Sequence, residues 1–259
     1  TNNVLLPDDI IIEILTRIPA KSLTQKFKYV CKPWYNLMKD PSSNFIQTHL
    51  NRSMERDCSN FILTTFCMIN TQLYSSSLNS SSCDEINVEE IENPFKETQL
   101  VTEVLGSCNG LICLYMDYNS LCLLNPFTKE HKFLDIGKNL HVDCCAAYGL
   151  GYNSVVGEYE LVYVDRTEFF DDGYDSQVNI YSLNDDSKAT CLMTFDVPYK
   201  VISGNISGIY LNGALHWVAV HKDKQEIETI VSFDMGERSF RSCCHLISLV
   251  KKLLLRLGC

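Results

Sequence analysis

Cysteine and histidine are the side chains here from which catalysis or metal binding could be built. Cys108 and Cys113 stand in a C-x4-C spacing, and His141 with Cys144 is the one nearby candidate for a second ligand pair of a zinc site. A further cluster is Cys243, Cys244 and His245. A simpler reading competes: Cys108 and Cys113 flank Asn109-Gly110, a hairpin signal inside a strand-rich stretch, so both thiols are expected to be buried as small hydrophobes. Cys243 and Cys244 are read the same way. "GNISG" (204–208) has the wrong spacing for a nucleophile elbow, and no phosphate-binding or dinucleotide fingerprint occurs. His131, His216 and His221 are scattered. The expectation is a chain that catalyses nothing itself and holds no metal or cofactor.

Charge points to partners instead. The chain has 259 residues and a formal net charge of −10. Residues 1–50 hold six Lys/Arg against four Asp/Glu, which is +2, so the remaining residues carry −12. Acidic residues gather in "CDEINVEEIEN" (83–93) and "EFFDDGYD" (168–175), which argues against nucleic acid and permits a basic protein partner. Glu89, Glu90, Glu92, Asp171 and Asp172 are the candidate substrate-binding residues. No run of eighteen uncharged apolar residues occurs and no signal peptide precedes Pro7, so no membrane partner is expected and the chain is placed in the cytosol or nucleus. In a reducing compartment the 13 cysteines are free thiols, and the sequons at Asn51, Asn79 and Asn205 carry no meaning.

The elements that must position such a surface begin with a helical block. Pro7 suits a first helical turn, with Asp8, Asp9 and Glu13 near the positive end of the dipole. Winding residues 8–18 at about 100° per residue puts Ile10, Ile14, Ile18, Ile11 and Leu15 on one arc and leaves Ile12 outside it. Pro19 ends that helix. Ser22 is expected to cap a second helix with Leu23, Phe27, Val30 and Cys31 on its apolar side, and Pro33 to start a third with Trp34, Leu37 and Met38 together, stopped by Asp40 and Pro41. Three such helices bury too little to be comfortable alone, so the block should lean on something else.

"LPDDIIIEILTRIPAKSL...FKYVCKPWYNLMKDP...FIQTHL" resembles the F-box motif over about residues 5–50. That resemblance implies docking on a Skp-type adaptor and, through it, on a cullin in a ubiquitin ligase. By the same resemblance Leu6, Pro7, Ile11, Leu15, Pro19, Leu23, Val30 and Trp34 occupy motif positions for the block's core and the adaptor surface. Plant members usually run from Lys-Ser-Leu to the Trp with one residue fewer. "LTQKFKYV" thus carries an insertion near Gln25 or Lys26, which in a continuous helix rotates every later residue by about 100°.

From about residue 100 strands alternate with Gly-centred turns. "NGLICLY", "GEYELVYV" and "NGALHWVAV" line up on Gly110, Gly157 and Gly213, 47 and 56 residues apart. Each precedes a second strand ending in a polar turn, at Asn125, Ser182 and Asp234. A strand repeat near fifty residues marks kelch-like propeller blades, with Tyr181, Trp217 and Phe233 packing between them. "GSCNGLICL", "NPFTKE", "YGLGYNSVVGEYELVYV", "VNIYSL", "LNGALHW" and "IVSFDMGERSF" resemble the F-box-associated domain of plant F-box proteins, most like the S-locus F-box group, which presents cytotoxic ribonucleases for ubiquitination in self-incompatible plants.

The expected fold is α+β: a three-helix F-box, then a mainly-β, kelch-like propeller domain that is incomplete. The expected divisions are 1–50 (F-box), 51–99 (linker and first β unit with an acidic loop), 100–240 (F-box-associated domain) and 241–259, whose "RSCCHLISLVKKLLLRLGC" reads as a Leu/Lys helix or an unpatterned tail of a truncated or frame-shifted product. The expected function is substrate recognition in an SCF-type ligase, with a basic ribonuclease as substrate. The alternative is a relative that binds the adaptor and recruits nothing.

Overall fold

The computed structural model describes residues 7–40, 43–55, 60–65, 72–77, 88–91, 103–116, 120–126, 128–137, 146–168, 174–201, 207–221 and 228–243. The chain divides into two compact units, Thr1–Gln99 with Asn125–Glu130, and Leu100–Leu124 with His131–Cys259.

The first unit opens with α1 (Asp8–Leu15), which Pro7 precedes at φ −56°, ψ 145°. Its carbonyl accepts from the Ile10 and Ile11 N–H groups, and Asp8 and Asp9 occupy the first turn. The helix stops at Thr16, short of the expected residue 18. Helix α2 (Ala20–Gln25) follows Pro19, so Ser22 lies inside the helix and does not cap it. Lys26 then leaves helical geometry at φ −123°, ψ −55°, and a 3₁₀ turn comes next over Phe27–Tyr29. The expected continuous helix from Ser22 to Cys31 is therefore broken at Lys26, beside the place where an added residue was expected. Helix α3 (Lys32–Lys39) carries Pro33 in its first turn. A fourth helix, α4 (Phe45–Glu55), exceeds the three expected and runs past residue 50.

Leu15, Leu23 and Phe45 form the buried centre of these helices, with Ile11, Ile12, Ile18, Phe27, Trp34, Leu37 and Met38 packed on it. The rings of Phe27 and Trp34 stack at 6.1 Å. The face of α1 differs from the expected arc: Ile12 turns inward, while Ile10 and Ile14 are each 46% exposed. Val30, at 61%, and Cys31 are exposed as well, because the 3₁₀ turn carries them off the face that Leu23 shares with the core. The same unit holds an antiparallel sheet of β1 (Asn60–Thr65), β2 (Gln72–Ser77) and β3 (Val88–Ile91).

The second unit contains three sheets, all antiparallel among the described strands. One is β4 (Glu103–Cys108), β5 (Leu111–Met116), β6 (Ser120–Leu124) and β7 (His131–Asp135), paired in chain order. The next is β8 (Ala147–Asn153), β9 (Glu158–Glu168), β10 (Tyr174–Ser182) and β11 (Thr190–Val197). The last has β12 (Tyr199–Val201) and β13 (Ile209–Leu211) both paired with β14 (Ala214–His221), then β15 (Glu228–Asp234) and β16 (Ser239–Cys243). The stretches that line up in the sequence are thus the second and third strands of each sheet. The β4–β5 and β13–β14 turns place Asn109 and Gly110 at φ 50° and 80°, and Asn212 and Gly213 at 51° and 82°, the pair of positive values that selects Asn-Gly.

Sheet packs on sheet through alternation along β9. Leu161 and Tyr163 join Leu105, Cys108, Cys113, Leu121 and Tyr148 between the β4–β7 and β8–β11 sheets. Val162 and Val164 join Val178, Leu215, Trp217, Val231 and Phe233 between the β8–β11 and β12–β16 sheets. Strand β8 and the middle of β9 are therefore buried on both faces, which is why β9 reads as a continuous apolar run, whereas the edge strand β11 is largely exposed. Each sheet is open at its edges, and the described strands form no closed propeller.

Candidate functional site

In the helical block, charge fastens α4 to α1. Glu13 pairs with Arg17 one turn on and with Arg52 of α4, and Arg52 also donates to the Thr16 hydroxyl at 2.5 Å. Arg52 first, then Arg17, holds the Glu13 carboxyl below the usual carboxylate range through hydrogen bonds to the ionised form. One turn earlier on α4, His49 Nε2 lies 2.8 Å from the Ile18 carbonyl oxygen. These contacts fix the connection after α1 and leave Ile10 and Ile14, one turn apart, on the outside.

The motif residues separate into two kinds. Leu15 and Leu23 are fully interior, and Ile11 and Trp34 are half-buried against them, so these four shape the block. Pro7, Pro19 and Val30 are exposed and can meet another surface; Leu6 lies outside the described residues. The sequence reading missed five exposed apolar side chains: Ile10, Ile14, Tyr29 at 72%, Tyr35 at 39% and Ile46 at 43%. The signal for Ile10 and Ile14 was present, since five apolar residues in an eight-residue helix cannot all face one core, but periodicity did not say which would turn out.

The acidic candidates are not brought together by the described residues. Glu90 is exposed on β3, and Glu89 precedes it on the same strand. Glu92, Asp171 and Asp172 lie outside the described residues, the last two in the connection between β9 and β10. Cys108 and Cys113 sit on paired strands β4 and β5, where Cys113 is opposite Gly106. Burial pushes the Cys108 thiol up to about 12 and the Cys113 thiol higher still, the opposite of what a nucleophile or metal ligand needs. His141, Cys144, Cys244 and His245 lie outside the described residues. Among the described residues no group of three or more His, Cys, Asp or Glu side chains could hold a metal ion, and no helix is long and apolar enough to cross a membrane.

Buried polar chemistry lies elsewhere, between sheets. Glu160 on β9 is wholly buried and pairs with Arg238 from the β15–β16 turn. Asn153, at the end of β8, donates to the Met235 carbonyl at 2.7 Å, and its side-chain oxygen accepts from the Val155 N–H at 3.0 Å. No sequence signal distinguished Asn153, Glu160 or Arg238 from surface polar residues.

Against known proteins, residues 4–46 match the F-box domain and residues 64–258 match the F-box associated beta propeller domain. The chain belongs to the plant F-box proteins that carry this associated domain. The match to the associated domain begins within β1 and continues across the stretch 241–259. The F-box protein CPR1 of Arabidopsis thaliana is 29% identical over 253 residues, covering 91% of this chain and 59% of that protein. A second F-box protein of Arabidopsis thaliana is 30% identical over 261 residues (98% and 63%), and an F-box/kelch-repeat protein of the same plant is 27% identical over 256 residues (92% and 66%). This F-box chain therefore spans about six-tenths of the length of these curated relatives. Among solved structures, a Cellvibrio cellulosa α-L-arabinanase aligns with 71% of this chain and 72% of its own at 12% identity and a TM-score of 0.37, too slight a likeness to argue from.

Proposed function

We propose that this F-box protein is a substrate-recognition subunit of an SCF-type ubiquitin ligase. Its helical block docks on a Skp-type adaptor and through it on a cullin, and its β domain holds a protein substrate. The observation that carries this is the succession in one chain of an F-box domain and an F-box associated domain. The exposed Ile10, Ile14 and Val30 support it, since a small helical block gains nothing by showing three branched aliphatics to water. The chemistry is proximity: a substrate lysine held near a charged conjugating enzyme reacts at raised effective concentration, with no catalytic group required here.

The test is capture by a purified Skp-type adaptor. Val30→Glu, at an exposed position, is expected to weaken capture about tenfold with the block's helical circular dichroism unchanged. Capture equal to the parent's removes the docking assignment. Trp34→Ala is a poorer probe, because Trp34 packs on the core and its loss confounds docking with folding.

The narrower reading places the protein in the S-locus group, with a basic ribonuclease as substrate. Its support is the charge balance of −12 beyond residue 50. Reversing Glu89, Glu90, Glu92, Asp171 and Asp172 to lysine is expected to slow association with a cationic ribonuclease and flatten its salt dependence. An unchanged on-rate from low to high salt sinks the ribonuclease reading and leaves the ligase reading standing.

A further inference from the structure

Two hairpins of the second unit turn on the same dipeptide, β4–β5 at Asn109-Gly110 and β13–β14 at Asn212-Gly213. Their backbones match: the asparagines hold φ 50° and 51°, the glycines 80° and 82°. A Cβ built on either glycine would meet nothing within 4 Å. Neither glycine N–H enters a backbone hydrogen bond, because a two-residue turn leaves its central N–H groups outside the ladder.

The asparagine side chains differ. Asn109 is half-buried and hydrogen-bonded to the hydroxyl of Tyr159, whose ring lies 5.0 Å from that of Tyr152. Asn212 is exposed beside the exposed Leu211, and its carboxamide makes no hydrogen bond among the described residues. Only Asn109 has a partner that keeps its side chain off the neighbouring glycine nitrogen.

That nitrogen is a nucleophile once its proton is lost, and glycine sets no Cβ in the path of attack. Addition of the Gly213 nitrogen to Cγ of Asn212 breaks the Cγ–Nδ2 bond, expels ammonia with the proton, and closes a cyclic succinimide. Water then opens the ring. Opening at Cγ gives aspartate; opening at the former main-chain carbonyl gives isoaspartate, with the chain rerouted through Cβ and Cγ and a free α-carboxylate. One water enters and one ammonia leaves, with nothing oxidised or reduced. This chemistry makes asparagine a thermolabile residue.

We propose that Asn212 is a site of spontaneous deamidation in the folded protein, and that Asn109 is protected by its bond to Tyr159. The effect passes beyond the turn. The Gly213 carbonyl accepts the Met235 N–H at 3.1 Å, and Met235 is wholly buried in the cluster between the β8–β11 and β12–β16 sheets. An isoaspartyl linkage lengthens a turn whose length fixes the pairing of Ile209, Tyr210 and Leu211 with β14. The Gly213 carbonyl is thereby drawn off Met235.

The test holds the full chain in mildly alkaline buffer, where the attacking nitrogen loses its proton more readily, and follows both Asn-Gly peptides by mass spectrometry. Deamidation is expected about tenfold faster at Asn212 than at Asn109, the factor that a hydrogen bond with partial burial supplies. In urea the two rates are expected to converge, since Tyr159 no longer holds Asn109. Equal rates in the folded chain overturn the proposal. So does a difference that survives in urea, which would belong to the flanking residues and not to the fold. Tyr159→Phe is expected to raise the Asn109 rate and leave that of Asn212 alone; an unchanged Asn109 rate removes the protecting bond. If Tyr159→Phe does not fold, the folded and urea rates of the parent decide. In the fraction converted to isoaspartate at Asn212, the Met235 amide is expected to exchange about tenfold faster. Unchanged exchange there overturns the link from the turn to the core.

Discussion

Trp217→Ala is expected to lower the stability of the second unit by about 3–5 kcal/mol, the usual range for removing a large aromatic from a packed interior. Trp217 is 2% exposed and lies at the centre of the cluster between the β8–β11 and β12–β16 sheets. It also joins the sheets by a directed contact, since its indole N–H donates to the Tyr148 carbonyl at 3.0 Å. The backbone has been shaped to it: a Cβ on Gly208 would fall 2.4 Å from Trp217 Cε2. Truncation therefore leaves a void and takes the indole donor from the Tyr148 carbonyl, which also accepts from the Gly208 N–H. Rigid backbone on either side limits collapse into the space. Urea unfolding monitored by far-ultraviolet circular dichroism measures the loss. Trp217→Phe keeps most of the volume and loses the hydrogen bond, so it should cost about 1–2 kcal/mol. A loss below about 1 kcal/mol for the alanine variant would mean that the two sheets do not depend on this contact.

The second large effect concerns a charge. Arg238→Ala is expected to destabilise the same unit by about 3 kcal/mol, because it leaves the wholly buried Glu160 carboxylate without its cation. The loss sits at the low end of the range for buried pairs because Arg238 is itself 28% exposed. Arg238 holds a positive φ of 51°, and its Nε is buried without a hydrogen-bond partner among the described residues. Those costs are tolerated only if the pair fixes the β15–β16 turn on β9. The decisive comparison is the double variant Glu160→Gln with Arg238→Ala, expected to recover at least half of the loss, since the desolvated charge goes with its partner. Additive losses in the two single variants would show that each residue matters for packing alone.

The features that the residues revealed in advance rest on local backbone rules. The Asn-Gly turns, the alternation along β14 and β15, and the interior placement of Tyr181, Trp217 and Phe233 come from positive φ and a period of two, and both are visible in a short window. The facing of α1 was not legible. Its apolar residues outnumber what one core can cover, and the inward turn of Ile12 is settled by Leu23 and Phe45, which lie distant in sequence. Ser22 looked like a cap because hydroxyls suit that position, yet Pro19 started the helix three residues earlier. Asn153, Glu160 and Arg238 were silent for the same reason as α4's hold on α1. A polar residue declares itself as interior only through the partner it meets, and Glu160 and Arg238 are separated by 78 positions. Motif order and spacing likewise do not say that Leu15 and Leu23 lie inside while Pro7, Pro19 and Val30 are exposed.

The departure from helical geometry at Lys26 bears on how the block would tolerate a change in its length. A residue gained or lost within a continuous helix rotates everything after it, and the damage spreads to every later contact. Here α2 ends and a fresh turn begins at that point, so Phe27 still reaches Trp34 and α3 starts anew at Cys31 and Lys32. Length can drift at this joint while the residues on either side keep their neighbours. The joint thus uncouples the phase of α3 from that of α2, so the seat of Trp34 is set by the 3₁₀ turn and not by the winding of the helix before it.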